Sequence, residues 1–220
     1  MAPPADTPGV DEETARVRAL YDAMAPRYDW LISLAERPLF GHGRDWACAQ
    51  ARGDVLEVAV GTGRRLPYYP PATRLIGVDL SPAMPAKAHS RADALNRPTD
   101  LRLGDAQHLD FPDATFDPVL ATLTLCSIPD PEAAVAEMAR VLRPGGRLVL
   151  LDHVATPNRA VRAIQRLLYA LTVRFQGDHL LREPEHAVLA PGLVLVQPAP
   201  PAPSPRASTP KPPPQPSADS

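Results

Sequence analysis

The chain has 220 residues, 45% of them apolar, and a formal net charge of -2, which suits one domain with a sizeable core plus tails. Near-neutral charge argues against a broad nucleic-acid-binding face. Cys48 and Cys126 stand far apart with no CxxC or CxxH spacing, so neither a metal site nor a disulfide framework is expected, and a reducing cytosol is the default compartment.

Met1 to Val10 carries Pro3, Pro4, Asp6 and Pro8 without an apolar core, so no signal peptide is expected there. Asp11 to Met24 reads as a helix, with Val17, Leu20, Tyr21 and Met24 on one stripe. Pro26 stops it, and the repeat Tyr21-Asp22, Tyr28-Asp29 brackets the stop. Trp30 to Leu34 and Gly43 to Ala51 are further short helical stretches. Val55 to Val60 is the first strand, with the near-continuous apolar character of a strand covered on both faces. Leu66 to Pro71 allows at most a short helix. Arg74 to Asp79 is the second strand. Ser81-Pro82 opens the next helix, although Pro85 threatens its first turn, and the helix continues through Ala86 to Leu95.

Leu101 to Leu103 is a short third strand, followed by Gly104-Asp105-Ala106. Phe116 to Cys126 is the fourth, with Pro118 expected to weaken its ladder. Pro131 to Leu142 is a helix capped by Asp130, ended by Arg143-Pro144-Gly145-Gly146, and Arg147 to Asp152 is the fifth strand. Arg159 to Phe175 is a basic amphipathic segment, and Gly192 to Gln197 is a candidate sixth strand. No apolar run reaches the roughly 18 residues a membrane span needs. Ten of the 29 prolines lie between Pro198 and Pro216, so the tail is expected to be disordered.

Strands alternating with helices imply an α/β, Rossmann-like, doubly wound and mostly parallel sheet. Ligands of such sheets sit beyond the carboxyl ends of the strands. Gly61, Asp79, Asp105, Cys126 and His153 all lie at such ends. Gly61-Thr62-Gly63 lets backbone approach a ligand closely, and Asp79 at a strand tip suits a ribose diol. A dinucleotide fingerprint wants a third glycine opening a long helix. Position 66 is instead leucine, followed by prolines, which counts against pyrophosphate binding.

These residues carry a resemblance. Tyr21-Asp-x5-Tyr28-Asp29, Glu57-Val-Ala-Val-Gly-Thr-Gly63, Gly77-Val-Asp79-Leu-Ser-Pro-Ala-Met84, Gly104-Asp105-Ala106, Phe111-Pro-Asp, Phe116-Asp117, Val141-Leu-Arg-Pro-Gly-Gly146 and Leu151-Asp-His153 follow one another in order. The chain resembles a class I S-adenosylmethionine-dependent methyltransferase of the type-11 group, near the quinone and phospholipid methyltransferases. The resemblance implies S-adenosyl-L-methionine as cofactor. It places Glu57, Gly61 and Gly63 at the methionine end, Asp79 on the ribose, and Leu80 and Met84 beside the adenine. Asp105 and Ala106 would read the adenine amino edge, Thr124 to Cys126 would lie near the transferred methyl, and Tyr28 would close from a lid. Each has a plainer alternative: a surface acid at Glu57, a helix cap at Asp79, a turn residue at Asp105, core packing for Tyr28 and Cys126. On this reading residues 1–10 are a disordered N-terminus, 11–53 a helical lid, 54–197 the methyltransferase domain and 198–220 a disordered tail.

Methyl transfer from a sulfonium is an in-line displacement in which the protein chiefly aligns the two reactants, an effect worth up to about 7–11 kcal/mol. A base is needed only if the acceptor loses a proton, and His153 is the best-placed candidate. The expected acceptor is a small molecule or lipid. Arg159 to Phe175 either packs on the domain or touches a membrane surface. The family closes its sheet with a further hairpin, for which the proline-rich tail supplies no seventh strand, so C-terminal strands are expected to be missing. Two rival readings remain at this level: a nicotinamide-dependent oxidoreductase, and a non-catalytic methyltransferase-like chain with a proline-rich interaction tail.

Overall fold

A computed structural model describes residues 9–33 and 43–151. The sixth strand, the segment Arg159 to Phe175, His153 and the proline-rich tail lie outside the described residues.

The first helix, α1 (Val10–Met24), starts with Asp11, Glu12 and Glu13 in its first turn, where acids suit the positive end of the helix dipole. Of its apolar stripe only Val17 is buried; Leu20, Tyr21 and Met24 are half-exposed. The chain turns through Ala25–Arg27 and is helical again over 28–33. A short helix α2 (Gly43–Ala49) leads into β1 (Asp54–Val58). Then come a 3-10 turn (Leu66–Tyr68), β2 (Arg74–Asp79), α3 (Ala83–Ala94), β3 (Asp100–Leu103), β4 (Phe116–Thr122), α4 (Pro131–Val141) and β5 (Leu142–Leu151).

The five strands form one sheet in the order β3-β2-β1-β4-β5, and every neighbouring pair is parallel. Adjacent residues point to opposite faces of a strand, so each strand feeds two cores. Leu56, Val58 and Val119 pack with Phe116, Met138 and Val141 on the α4 side. Val55 and Leu120 pack with Ala47, Cys48, Leu66 and Tyr69 on the α2 side. From β1 the chain builds outward to β2 and β3, then crosses back to add β4 on the other flank of β1. That reversal between β1 and β4 is the switch point where open α/β sheets form their crevice.

Three expectations need correction. The fourth strand ends at Thr122, short of Cys126, because Leu123 turns into the left-handed region at φ 57° and breaks the extended run. The Arg143-Pro144-Gly145-Gly146 stretch is not a separate turn: β5 begins directly at Leu142. Leu142 pairs with Phe116 and Arg147 with Pro118, so extra residues bulge out of β5 there and Pro118 sits at the irregularity. Gly146 presses on the partner strand, and a Cβ there would stand 2.6 Å from the Asp117 carbonyl oxygen. Finally, Pro85 does no harm to α3. It is the third residue of that helix, where backbone N–H groups have no intrahelical partner to lose.

Candidate cofactor site

Beyond the carboxyl ends of β1, β2, β3 and β4 opens a solvent-connected cleft. Its floor is Val58 to Thr62 from the turn after β1. Val78, Asp79 and Leu80 with Met84 form one wall, and Gly104 to Gln107 continue it. Thr122 to Thr124 and Ser127 to Pro129 form the other, and Val17, Tyr21 and Tyr28 reach over from the N-terminal segment. Tyr21, half-exposed on the α1 stripe, thus faces the open cleft, whereas Leu20 and Met24 do not line it.

Gly61 and Gly63 both adopt positive φ, but for different reasons. A Cβ on Gly61 would meet nothing within 4 Å, so this glycine borders the open cleft. A Cβ on Gly63 would stand 2.8 Å from the Leu66 side chain and 3.1 Å from the Ala88 backbone. Gly63 is required for packing α3 against the turn and is not on the cleft wall.

Asp79 is the polar centre of the cleft. It is 7% exposed, and each carboxylate oxygen accepts one backbone N–H: Oδ2 from Gly61 at 2.8 Å, Oδ1 from Ser81 at 2.9 Å. Burial pushes its carboxyl up to about 6, against the lowering effect of those two bonds. The capping alternative is not realised: the N-cap of α3 is Pro82, with no side-chain cap bond, and the bond from Ser81 is a local turn contact, so the carboxylate is left bordering the cleft. Each oxygen retains a lone pair for a further donor.

Asp105 likewise anchors its own loop, with Oδ1 accepting the Gln107 backbone N–H at 2.9 Å. The Gln107 side chain is 4% exposed. Its Nε2 donates to Asp105 and, at 3.1 Å, to Thr14 Oγ1 of α1, while its Oε1 accepts the Asp130 N–H at 3.0 Å. Gln107 ties the third strand's loop to the lid and to α4. Sequence reasoning missed it, since a glutamine in a loop carries no pattern of its own.

The repeat of Tyr-Asp pairs acquires a physical meaning. Tyr21 and Tyr28 both line the cleft, with ring centroids 6.3 Å apart. The aspartate after each fastens the segment to the sheet domain. Asp22 accepts the Ser81 hydroxyl at 2.5 Å and the Ala83 N–H at 3.2 Å, serving the amino end of α3. Asp29 accepts the Thr62 hydroxyl at 2.5 Å and pairs with Arg91 at 2.8 Å. Burial works against the charge of Asp29, but the bonds from Thr62 and Arg91 hold its carboxyl below the usual range.

Glu57 and Cys126 differ from expectation. Neither reaches the cleft wall. Glu57 is fully buried in β1, its Oε1 paired with Arg65 and its Oε2 without a hydrogen-bond partner among the described residues. Cys126 is buried, in the turn that follows the shortened β4. Tyr28, Gly61, Asp79, Leu80, Met84, Asp105, Ala106 and Thr124 do line the cleft together. Among the described residues no group of three His, Cys, Asp or Glu side chains is arranged to hold a metal ion.

Residues 56–150 match the family described as a methyltransferase domain. The chain is 38% identical over 162 residues to phosphatidylethanolamine N-methyltransferase of Cereibacter sphaeroides, covering 71% of this chain and 78% of that one. It is 33% identical over 168 residues to demethylmenaquinone methyltransferase of Thermus thermophilus, covering 72% and 75%. Among solved structures it is similar in fold to a SAM-dependent methyltransferase of Thermotoga maritima, a possible histamine N-methyltransferase. There the TM-score is 0.61 at 22% identity, over 79% of this chain and 80% of that one. The chain belongs to the class I S-adenosylmethionine-dependent methyltransferases of the type-11 group, and S-adenosylmethionine is its cofactor.

The cleft residues fit that cofactor on their own chemistry. Asp79 is buried with a raised pKa, a carboxylate short of donors, and a ribose diol supplies two. Gly61 leaves open the space that a side chain would fill. Two tyrosine rings line the cleft and offer flat apolar surface to a bound nucleoside.

Proposed function

We propose that the cleft holds S-adenosylmethionine with its ribose on Asp79 and its adenine between Leu80, Met84 and the Asp105-Ala106 backbone. The methyl acceptor is an apolar small molecule or lipid entering beneath Tyr21 and Tyr28. The position of Asp79, buried at the tip of β2 and facing the cleft, carries this reading. The acceptor class is supported by two relatives whose names specify phosphatidylethanolamine and demethylmenaquinone as what they methylate. It is also supported by Val17 and Tyr21, the two stripe residues that α1 turns to the cleft.

The cofactor supplies a methyl on a sulfonium, an electrophile with a good leaving group already in place. The protein's part is alignment. The turn after β1 and the end of β4 flank the switch point, and Thr122 to Thr124 border the space in which an acceptor would meet the methyl. Asp29 and Asp22 hold the tyrosine lid in place, which keeps bulk water from the reacting atoms. For an acceptor that must lose a proton we propose His153 as base, two residues past the last described residue of β5.

The test is methyl transfer from labelled S-adenosylmethionine to phosphatidylethanolamine vesicles and to a demethylated quinone, with Asp79→Ala as control. Label in either acceptor that the variant abolishes supports the reading. No transfer to either removes the lipid class. For His153→Ala, turnover unchanged at every pH would remove the base.

Among the described residues no helix is long and apolar enough to cross a membrane. We further propose that the protein works in the cytosol and meets a lipid acceptor through the basic segment Arg159 to Phe175. Full-length protein that fails to co-sediment with anionic liposomes would contradict the membrane contact.

A further inference from the structure

The buried Arg65, itself on the cleft wall, has no role in the proposed reaction, yet it bonds to β1, to the end of β4 and to the turn that forms the floor. Arg65 follows the glycine turn and is 5% exposed. Its Nε donates to Glu57, the penultimate residue of β1. Its Nη1 donates to the Thr122 carbonyl at 3.1 Å and to the Thr122 hydroxyl, at the end of β4. Its Nη2 donates to the Ala59 carbonyl at 2.8 Å, in the turn that leaves β1. One planar guanidinium thus spans the gap between the two strands at the switch point.

Ala59 is the informative contact. It lies on the cleft wall and adopts φ 54°, the left-handed region that a Cβ makes unfavourable. Such a residue keeps its conformation only where its surroundings enforce it. The turn it starts presents the Gly61 N–H to Asp79 and leaves open the space beside Gly61. The only side-chain hydrogen bond to the Ala59 carbonyl among those described comes from Arg65. Burial alone would lower the pKa of Arg65, but the Glu57 carboxylate more than offsets this, so the fork stays charged.

We propose that Arg65 is a positioning residue for cofactor binding: it pins the Ala59 carbonyl and the end of β4, and so holds a strained turn in its ligand-ready form. Glu57, off the cleft wall, acts through Arg65 as its buried counter-charge. This rests on the cofactor lying in the cleft. It goes further in stating that affinity depends on Arg65 because position 59 is not glycine.

The test is a double-mutant cycle read by calorimetric titration of S-adenosylhomocysteine, with melting temperatures recorded for each protein. Arg65→Lys keeps the charge beside Glu57 but cannot reach all its partners at once. It should weaken S-adenosylhomocysteine by at least about tenfold in the wild-type background. In the Ala59→Gly background the same change should cost less than about threefold, because glycine takes positive φ without being held there. Equal losses in both backgrounds, or no loss in either, overturn the proposal.

If R65K does not fold, the neutral pair Glu57→Gln with Arg65→Gln is run through the same cycle. Folding only together with A59G supports the proposal. Folding in neither background overturns it, since Arg65 would then be a requirement of the fold and not of the turn. Wild-type protein that binds no S-adenosylhomocysteine contradicts the cofactor site itself. Wild type that binds while the cycle is additive contradicts only the role of Arg65.

Discussion

The two ends of the β-sheet are built from the same residue types and behave in opposite ways. At the amino end, Asp117 accepts the Asp54 N–H at 2.8 Å and pairs with Arg143 at 2.8 Å, and Asp54 pairs with Arg74 at 2.6 Å. The Arg143 guanidinium holds the Asp117 carboxyl below its usual range. These four charges are accessible and paired with one another, and the Phe116-Asp117 motif is an element of the fold. At the carboxyl end, Asp79 is buried and pushed up to about 6, Glu57 keeps an oxygen unpartnered among the described residues, and Ala59 and Leu123 hold positive φ. Buried carboxylates short of donors collect where ligands bind and accessible ion pairs where they do not, whereas positive φ occurs at both ends, at Ala59 and Leu123 and also at Ala114 just before β4.

That contrast can be broken at several points. Asp79→Ala should have the largest effect on binding, weakening S-adenosylhomocysteine by more than about a hundredfold, as expected for two lost charge-assisted hydrogen bonds. Titration calorimetry reads it. Arg65→Met leaves Glu57 buried without a counter-charge and should cost about 3–5 kcal/mol in stability by denaturant unfolding. Removing both charges, with Glu57→Gln added, should recover much of that loss.

The pH dependence follows from Asp79. Its folded pKa is raised, so the unliganded protein holds a proton there that the unfolded chain has already released. This group's contribution to stability is present below the ordinary carboxylate range and is lost as pH rises through about 6. Ligand hydroxyls favour the ionised form, so binding releases that proton. Affinity for S-adenosylhomocysteine should be flat above pH 6 and fall by up to about tenfold per unit below it. A flat profile down to pH 5 would detach Asp79 from the ligand.

Smaller effects sharpen the comparison. Ala59→Gly exchanges strain for chain entropy and should gain up to about 1 kcal/mol in stability by thermal or denaturant unfolding. At the amino end, Asp117→Asn should lower the melting temperature slightly, mostly above the carboxylate range, where the lowered pKa of Asp117 stabilises the fold. Its effect on S-adenosylhomocysteine affinity should stay within about twofold, since it lies at the far end of the sheet.

Much of the fold was legible because the signals are local. β2 over Arg74–Asp79 and α4 from Asp130 onward follow from apolar period and capping alone. The cleft residues Gly61, Asp79 and Asp105 were legible because each closes a strand and the parallel topology brings strand ends together. What escaped depends on partners distant in sequence. Arg143 to Gly146 looks like a turn until its pairing with β4 is known. Glu57 looks like a ligand contact until Arg65 claims it, and Arg65 looks like one more surface arginine in an arginine-rich chain. Gln107 gains its role only when α1, β3 and α4 meet.

The central claim, that the cleft beyond β1 and β2 binds the cofactor through Asp79, is tested most directly by thermal shift with S-adenosylhomocysteine on wild type and Asp79→Ala side by side. A ligand-dependent rise for wild type, absent in a variant that still melts cooperatively, is the expected result. No rise for wild type, or the same rise for both proteins, would contradict it.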